Sequence, residues 1–144
     1  MTELKDHLAI EHELTLPNDI DTIPQLSEFI ECMAEEAGLD MAFTMSLNLA
    51  IEEAVVNVMT YAYPEGTTGM VNILMKVDGQ QFTCILKDSG TPFDPTLTPE
   101  ADTSLSAEER PIGGLGIHLV RQIMDNVSYE YSKGQNVLTL TKRL

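Results

Sequence analysis

Three short constellations hold residue types suited to binding or catalysis. In LNLAIEEAVVNVMTYAYP, Glu53 and Asn57 stand four residues apart. On a helix advancing about 100° per residue they project about 40° from each other, from one face. Ser46, Ala50 and Thr60 fall near the same direction, so a narrow polar or small-residue stripe runs along an otherwise apolar segment. A carboxylate on such a stripe is costly unless partnered, which makes Glu53 a candidate site residue. A structural cap or pair, or a stripe open to solvent, accounts for it equally. In KDSGTPFDP, Asp88 precedes Gly90 by two residues. Its carboxylate is suited to accept a hydrogen bond from a ligand's amino group, with Gly90 letting the backbone come close; Asp before Gly is also ordinary turn chemistry. In RPIGGLGIHL, Gly113, Gly114 and Gly116 enter a helix. Backbone N–H groups and the helix dipole make such an entrance an anion site, though the bare pattern fits a loop before a helix as well. Neither the G-x-G-x-x-G dinucleotide fingerprint nor a phosphate loop with its Lys is present.

The elements that must position these residues are legible from periodicity. Residues 8–16 set Ile10, Leu14 and Leu16 against Glu11, Glu13 and Thr15, an alternation that predicts a half-buried strand. From Thr22 to Ala37, Ile23, Leu26, Ile30 and Met33 or Ala34 recur at helical spacing, Glu28, Glu31, Glu35 and Glu36 fill the other side, and Gly38 ends the run. This is an amphipathic surface helix. Met41 to Tyr63 is apolar on almost every side, which predicts a helix buried within the domain. Residues 71–78 and 80–88 read as strands joined by a tight turn at Asp78-Gly79. Thr91 to Ile112 is Pro-, Thr- and acid-rich without periodicity, a length uncommon outside functional lids and disordered segments. Ile117, Val120, Ile123 and Met124 form a helix face, and strands over 127–132 and 137–142 meet at Lys133-Gly134-Gln135-Asn136. Hairpin-joined strands require a mixed or antiparallel sheet. The expected fold is therefore α+β, a two-layer α/β sandwich with a mixed, mostly antiparallel sheet covered on one face by helices, in a single domain over 1–144.

Composition narrows the function classes. The chain has 144 residues, 43% of them hydrophobic, and a formal charge of −15 from 8 Lys+Arg against 23 Asp+Glu. That is enough apolar residue for one core, so a folded domain is expected. The charge disfavours direct nucleic-acid binding, which depends on Lys and Arg displacing counterions, and an anionic membrane surface. No stretch approaches the roughly 18 apolar residues of a membrane span, and the N-terminus lacks a basic start followed by an apolar core. Cys32 and Cys84 show no CxxC spacing, which points away from a disulfide framework or zinc site and toward a reduced, cytoplasmic setting. His7, His12 and His118 lack metal-ligand spacing, although His12 can alternate into the buried side of its strand. Met33, Met41, Met45, Met59, Met70, Met75 and Met124 read as core filler, an exposed subset lining a partner groove being the alternative.

Taken in order, E-x-x-x-N on a buried helix, D-x-G after a strand and G-G-L-G before a helix resemble the asparagine box and two glycine boxes of the GHKL (Bergerat-fold) ATPases. Within that superfamily the chain looks most like the stand-alone anti-sigma-factor serine/threonine kinases of bacteria, and the resemblance spans essentially its whole length. It implies ATP and Mg²⁺ as cofactors. Asn57 would be the Mg²⁺ ligand through its side-chain oxygen. Glu53 would be the general base toward a Ser or Thr hydroxyl of a protein substrate, or toward water. Asp88 would accept from the adenine amino group with Gly90 beside the ring, while Gly114, Leu115 and Gly116 bring backbone N–H groups to the phosphates. A lid over about 91–112 would close above them, and Arg110, its one cation, would stabilise the transition state. The pattern departs at Thr60-Tyr61, where relatives often carry Lys or His, which leaves one fewer cation near the phosphates.

The resemblance further implies a cytoplasmic homodimer that sequesters a sigma factor in one state and phosphorylates an anti-anti-sigma antagonist in another. It implies contact with neither nucleic acid nor membrane. A non-catalytic ATP-dependent binding module, in which nucleotide only sets lid conformation, is the alternative. The ATPase domain of a histidine kinase shares the fold, but here barely one strand precedes the first helix, with no helical hairpin carrying a phospho-accepting His. The glutamates of the first helix either solvate a face or complement a basic partner.

Overall fold

The computed structural model describes residues 9–97 and 116–144. Strand β1 (Ile10–Pro17) leads to helices α1 (Ile23–Ala37) and α2 (Met41–Tyr61), then strands β2 (Met70–Asp78) and β3 (Gln81–Asp88). Helix α3 (Gly116–Ile123) and strands β4 (Asn126–Ser132) and β5 (Gln135–Arg143) complete the chain.

Local chemistry sets these boundaries. Gly38 ends α1 in the left-handed region at φ 72°, its N–H bonded to the carbonyls of Ala34 and Glu35. Two residues later Asp40 caps α2, its carboxylate accepting from the Phe43 N–H at 2.7 Å. The β2–β3 turn lies one residue beyond the expected Asp78-Gly79. Asp78 pairs with Gln81, so Gly79 and Gln80 form the loop, with Gly79 at φ 63°. In the last hairpin the loop is Lys133-Gly134, both at positive φ, and Gln135 and Asn136 belong to β5 rather than to the turn.

The sheet order is β1-β2-β3-β5-β4, and every described pairing is antiparallel. Register places Ile73, Leu86 and Leu138 in one row, and Met75, Cys84 and Leu140 in the next, all buried beneath the helices. Each fully buried side chain of this size contributes roughly 1.5–3 kcal/mol. α1 adds Leu26, Ile30, Met33 and Ala34 to that core and leaves Glu28, Glu31, Glu35 and Glu36 exposed. His12 sits opposite Met75 on the helix side of the edge strand, where its Nε2 meets Glu36 at 2.5 Å.

Helix α2 differs from expectation. Its sheet side is buried, but Met41, Met45 and Leu49 are 79%, 66% and 45% exposed. Two layers give this helix a sheet beneath and α1 and α3 beside it, so its outer side meets solvent even where the residues are apolar. The methionines divide accordingly: Met33, Met59, Met75 and Met124 are core, whereas Met41, Met45 and Met70 are exposed. No helix among the described residues is long and apolar enough to cross a membrane.

Candidate functional site

β3 delivers Asp88 to the helix-facing side, in a row with Leu16, Val71 and Asn136. Asp88 and Asn136 are each only 3% exposed. Asn136 Nδ2 and the Gly90 N–H both donate to Asp88 Oδ1, each at 2.9 Å. Burial pushes the Asp88 carboxyl above its ordinary value, and these two donors pull it partway back. Since the described bonds converge on Oδ1, Oδ2 is the atom left for a ligand. An ionised carboxylate only accepts, so the ligand it fits carries an N–H donor.

Gly90 is explained by its contact with α2. A Cβ there would lie 2.3 Å from the carbonyl oxygen of Ala62, the C-cap residue of that helix, so only glycine lets the chain after β3 pack this closely. Thr91 fastens the contact, its N–H and Oγ1 donating to Ala62 O at 2.7 and 3.0 Å. The close approach read from the sequence as room for a ligand is thus, in the first instance, room for a helix end. Tyr63 secures the same corner, its hydroxyl donating to Met70 O at 2.8 Å and accepting from Ser89 N–H at 3.1 Å.

The helix held against Asp88 is the one that carries Glu53 and Asn57. Asn57 is buried, and its Nδ2 donates to the Glu53 carbonyl one turn back at 2.9 Å, leaving Oδ1 as an acceptor. Glu53 is half-buried, and among the described residues its carboxylate has no hydrogen-bond partner. Its neighbour Glu52 accepts a short hydrogen bond from Ser27 of α1. Of two adjacent glutamates, one ties the helices together and the other has no described partner. At the departure Thr60-Tyr61, the Tyr61 ring packs against Phe93 with centroids 5.3 Å apart, and Thr60 Oγ1 is buried without a described partner.

Gly116 is the first residue of α3, which packs beside α2 and buries Ile117 and Val120. Arg110, Gly114, Leu115 and the lid beyond residue 97 lie outside the described residues. A groove of about 440 Å³ at the opposite end of β3, between Asp78, Gln81, Asp125 and Arg143, holds none of the candidate residues. Sequence reading passed over Asn136, Tyr63 and Phe93. Asn136 looked like part of a turn, and nothing in its neighbours signals that register sets it beside Asp88.

The model of the histidine kinase-like ATPase domain matches residues 16–142. The serine-protein kinase RsbW of Halalkalibacterium halodurans is 30% identical over 134 residues, covering 85% of this chain and 81% of that one. The serine/threonine-protein kinase BtrW of Bordetella bronchiseptica is 28% identical over 96 residues, covering 67% and 68%. Among solved structures, that of the RsbU and RsbW domains of Rv1364c from Mycobacterium tuberculosis aligns with a TM-score of 0.67 at 17% identity, a likeness of fold. It covers 94% of this chain and 32% of that one, so the present chain spans about a third of that molecule. The family match takes in the elements that position Glu53, Asn57 and Asp88, and the chain belongs to the histidine kinase-like ATPase domain family.

Proposed function

We propose that the chain is an ATP- and Mg²⁺-dependent serine/threonine protein kinase of the anti-sigma type. The observation that carries this reading is a Glu53 with no partner among the described residues, one helical turn from a buried Asn57, on the helix whose end is fastened to Thr91 just after Asp88. Asp88 Oδ2 accepts from the adenine amino group. Asn57 Oδ1, its amide nitrogen already committed, is a hard oxygen suited to Mg²⁺ beside phosphates and waters. When bound, the ion neutralises charge on the phosphates. Gly114, Leu115 and Gly116 offer backbone N–H groups to those phosphates, and Arg110 in a lid over about 91–112 stabilises charge developing on the transferred group. Glu53 orients the acceptor Ser or Thr hydroxyl and takes its proton as the oxygen bonds to the γ-phosphorus and the bond to the ADP oxygen breaks.

The substrate in this reading is a small anti-anti-sigma antagonist, and the sequestered partner is a sigma factor. The exposed glutamates of α1 suit a basic partner surface, so association should weaken steeply with added salt. A cytoplasmic homodimer without direct nucleic-acid or membrane contact, folded as one domain over 1–144, completes the proposal.

A second reading is a non-catalytic ATP-dependent binding module. It is favoured by one observation: Tyr61 is used for packing against Phe93 where relatives often carry a cation. Radiolabelled ATP, purified protein and the antagonist separate the two. Glu53→Gln should keep ATP binding and lose transfer by about 100-fold or more. Equal transfer by that variant removes Glu53 from the mechanism, and no transfer by the wild type favours the binding module.

A further inference from the structure

The Asn136 amide is used to capacity. Its Nδ2 donates to Asp88 Oδ1 and to the Thr91 carbonyl, both at 2.9 Å. Its Oδ1 accepts from the Phe93 N–H at 2.9 Å and from the Tyr129 hydroxyl at 2.5 Å. A primary amide has two N–H donors and one oxygen with two lone pairs, so nothing is left for a ligand. Exchanging its nitrogen and oxygen would put donor against donor and acceptor against acceptor. The orientation is therefore fixed from both sides. One buried side chain on β5 thereby joins the end of β3, the chain that follows it and β4.

We propose that Asn136 is a positioning residue for nucleotide recognition: it fixes Asp88 with Oδ2 toward the base and pins residues 91–93 alongside it. The inference rests on the reading of Asp88 as the base acceptor. A buried carboxylate is pressed toward its protonated form, which would donate rather than only accept and would lose the preference for an amino group over a carbonyl on the base. Among the described residues, the other titratable groups near Asp88 are the Tyr63 hydroxyl beyond α2 and the Tyr129 hydroxyl on β4, with Asp94 beside Tyr129. Lys87, the preceding residue, is exposed on the other face of the sheet. Among the described residues, the donors that favour the Asp88 anion are thus the Asn136 amide and the Gly90 N–H.

Asn136→Asp tests this with little change of shape. It keeps an acceptor toward Phe93 and Tyr129 but sets a second carboxylate against Asp88. ADP binding by calorimetry from pH 5 to 8, together with carbon NMR titration of Asp88 in the apo proteins, should show three things. At pH 7 the variant binds ADP at least about tenfold more weakly. Its Asp88 titration moves to higher pH. Affinity partly returns on acidification, because one proton shared between the two carboxylates restores a donor. Asn136→Ala should show the loss without the return. If Asn136→Asp does not fold, Tyr129→Phe, which frees one lone pair of the amide, should weaken ADP about threefold. Wild-type binding with unchanged variant profiles overturns the role of Asn136 alone. A wild-type chain that binds no ADP overturns the nucleotide reading and this inference with it.

Discussion

The two halves of the candidate site are held in opposite ways. At the Asp88 end, Asn136, Gly90, Thr91 and Tyr63 are bonded to one another or to the ends of β2 and α2. At the Glu53 end, the glutamate has no described partner and Asn57 uses only its amide nitrogen. The first half is pre-organised by the sheet, so on the proposed reading an incoming base would meet an acceptor already in place. The second half presents oxygens whose partners, on the same reading, would arrive with the ligand. On the proposed reading, recognition is built into the core, and transfer chemistry is left to a helix face that carries a buried Asn57 and a half-buried Glu53.

Glu53→Gln is the largest expected break in that contrast, because it should cut transfer by about 100-fold or more while leaving binding intact. Asp88→Asn should do the reverse and cut ADP affinity by about tenfold or more, since an amide NH₂ in place of Oδ2 confronts the base's donor. The same variant should raise the Tm of the apo protein at neutral pH by a few degrees. The sign follows from linkage: burial raises the folded-state value of Asp88, so the folded state binds more protons and stability falls as pH rises through that range. The wild type should accordingly gain stability from this group on mild acidification, whereas Asp88→Asn should not. Thermal melts at pH 5 and 7 check both.

Gly90→Ala should cost about 1–3 kcal/mol by forcing the chain away from the Ala62 carbonyl, and ADP affinity should fall with it. A melt unchanged within a degree would detach Gly90 from the packing of the site. Tyr63→Phe, which removes a hydroxyl that bonds Met70 O and Ser89 N–H, should cost about 1 kcal/mol by denaturant titration. The smallest effect is chemical. The Cys84 thiol, pushed up to about 12 by burial, should resist a thiol reagent that labels exposed Cys32. Fast labelling of both would show that the strand core opens readily.

Much of this was legible in the chain. The glutamate spacing of α1 and the alternation of β2 and β3 set those elements, because burial of one face leaves a period in the sequence. The helical relation of Glu53 and Asn57 follows from their spacing alone. Exposure of Met41 and Met45 was not legible, since apolarity on every side of a helix does not say which sides have neighbours. Asn136 was hidden for a related reason. Lys-Gly-Gln-Asn has turn composition, and the actual loop is two residues shorter than that stretch.

By itself the sequence determined the order and type of the elements and the three constellations, because periodicity and local turn chemistry are properties of neighbours along the chain. Tertiary structure decided which of two adjacent glutamates is committed to a helix contact and why residue 90 is glycine. It also decided that Asn136 meets Asp88 across a sequence separation of 48. Those facts depend on strand register and helix docking, which bring distant residues within hydrogen-bond reach and leave no local trace.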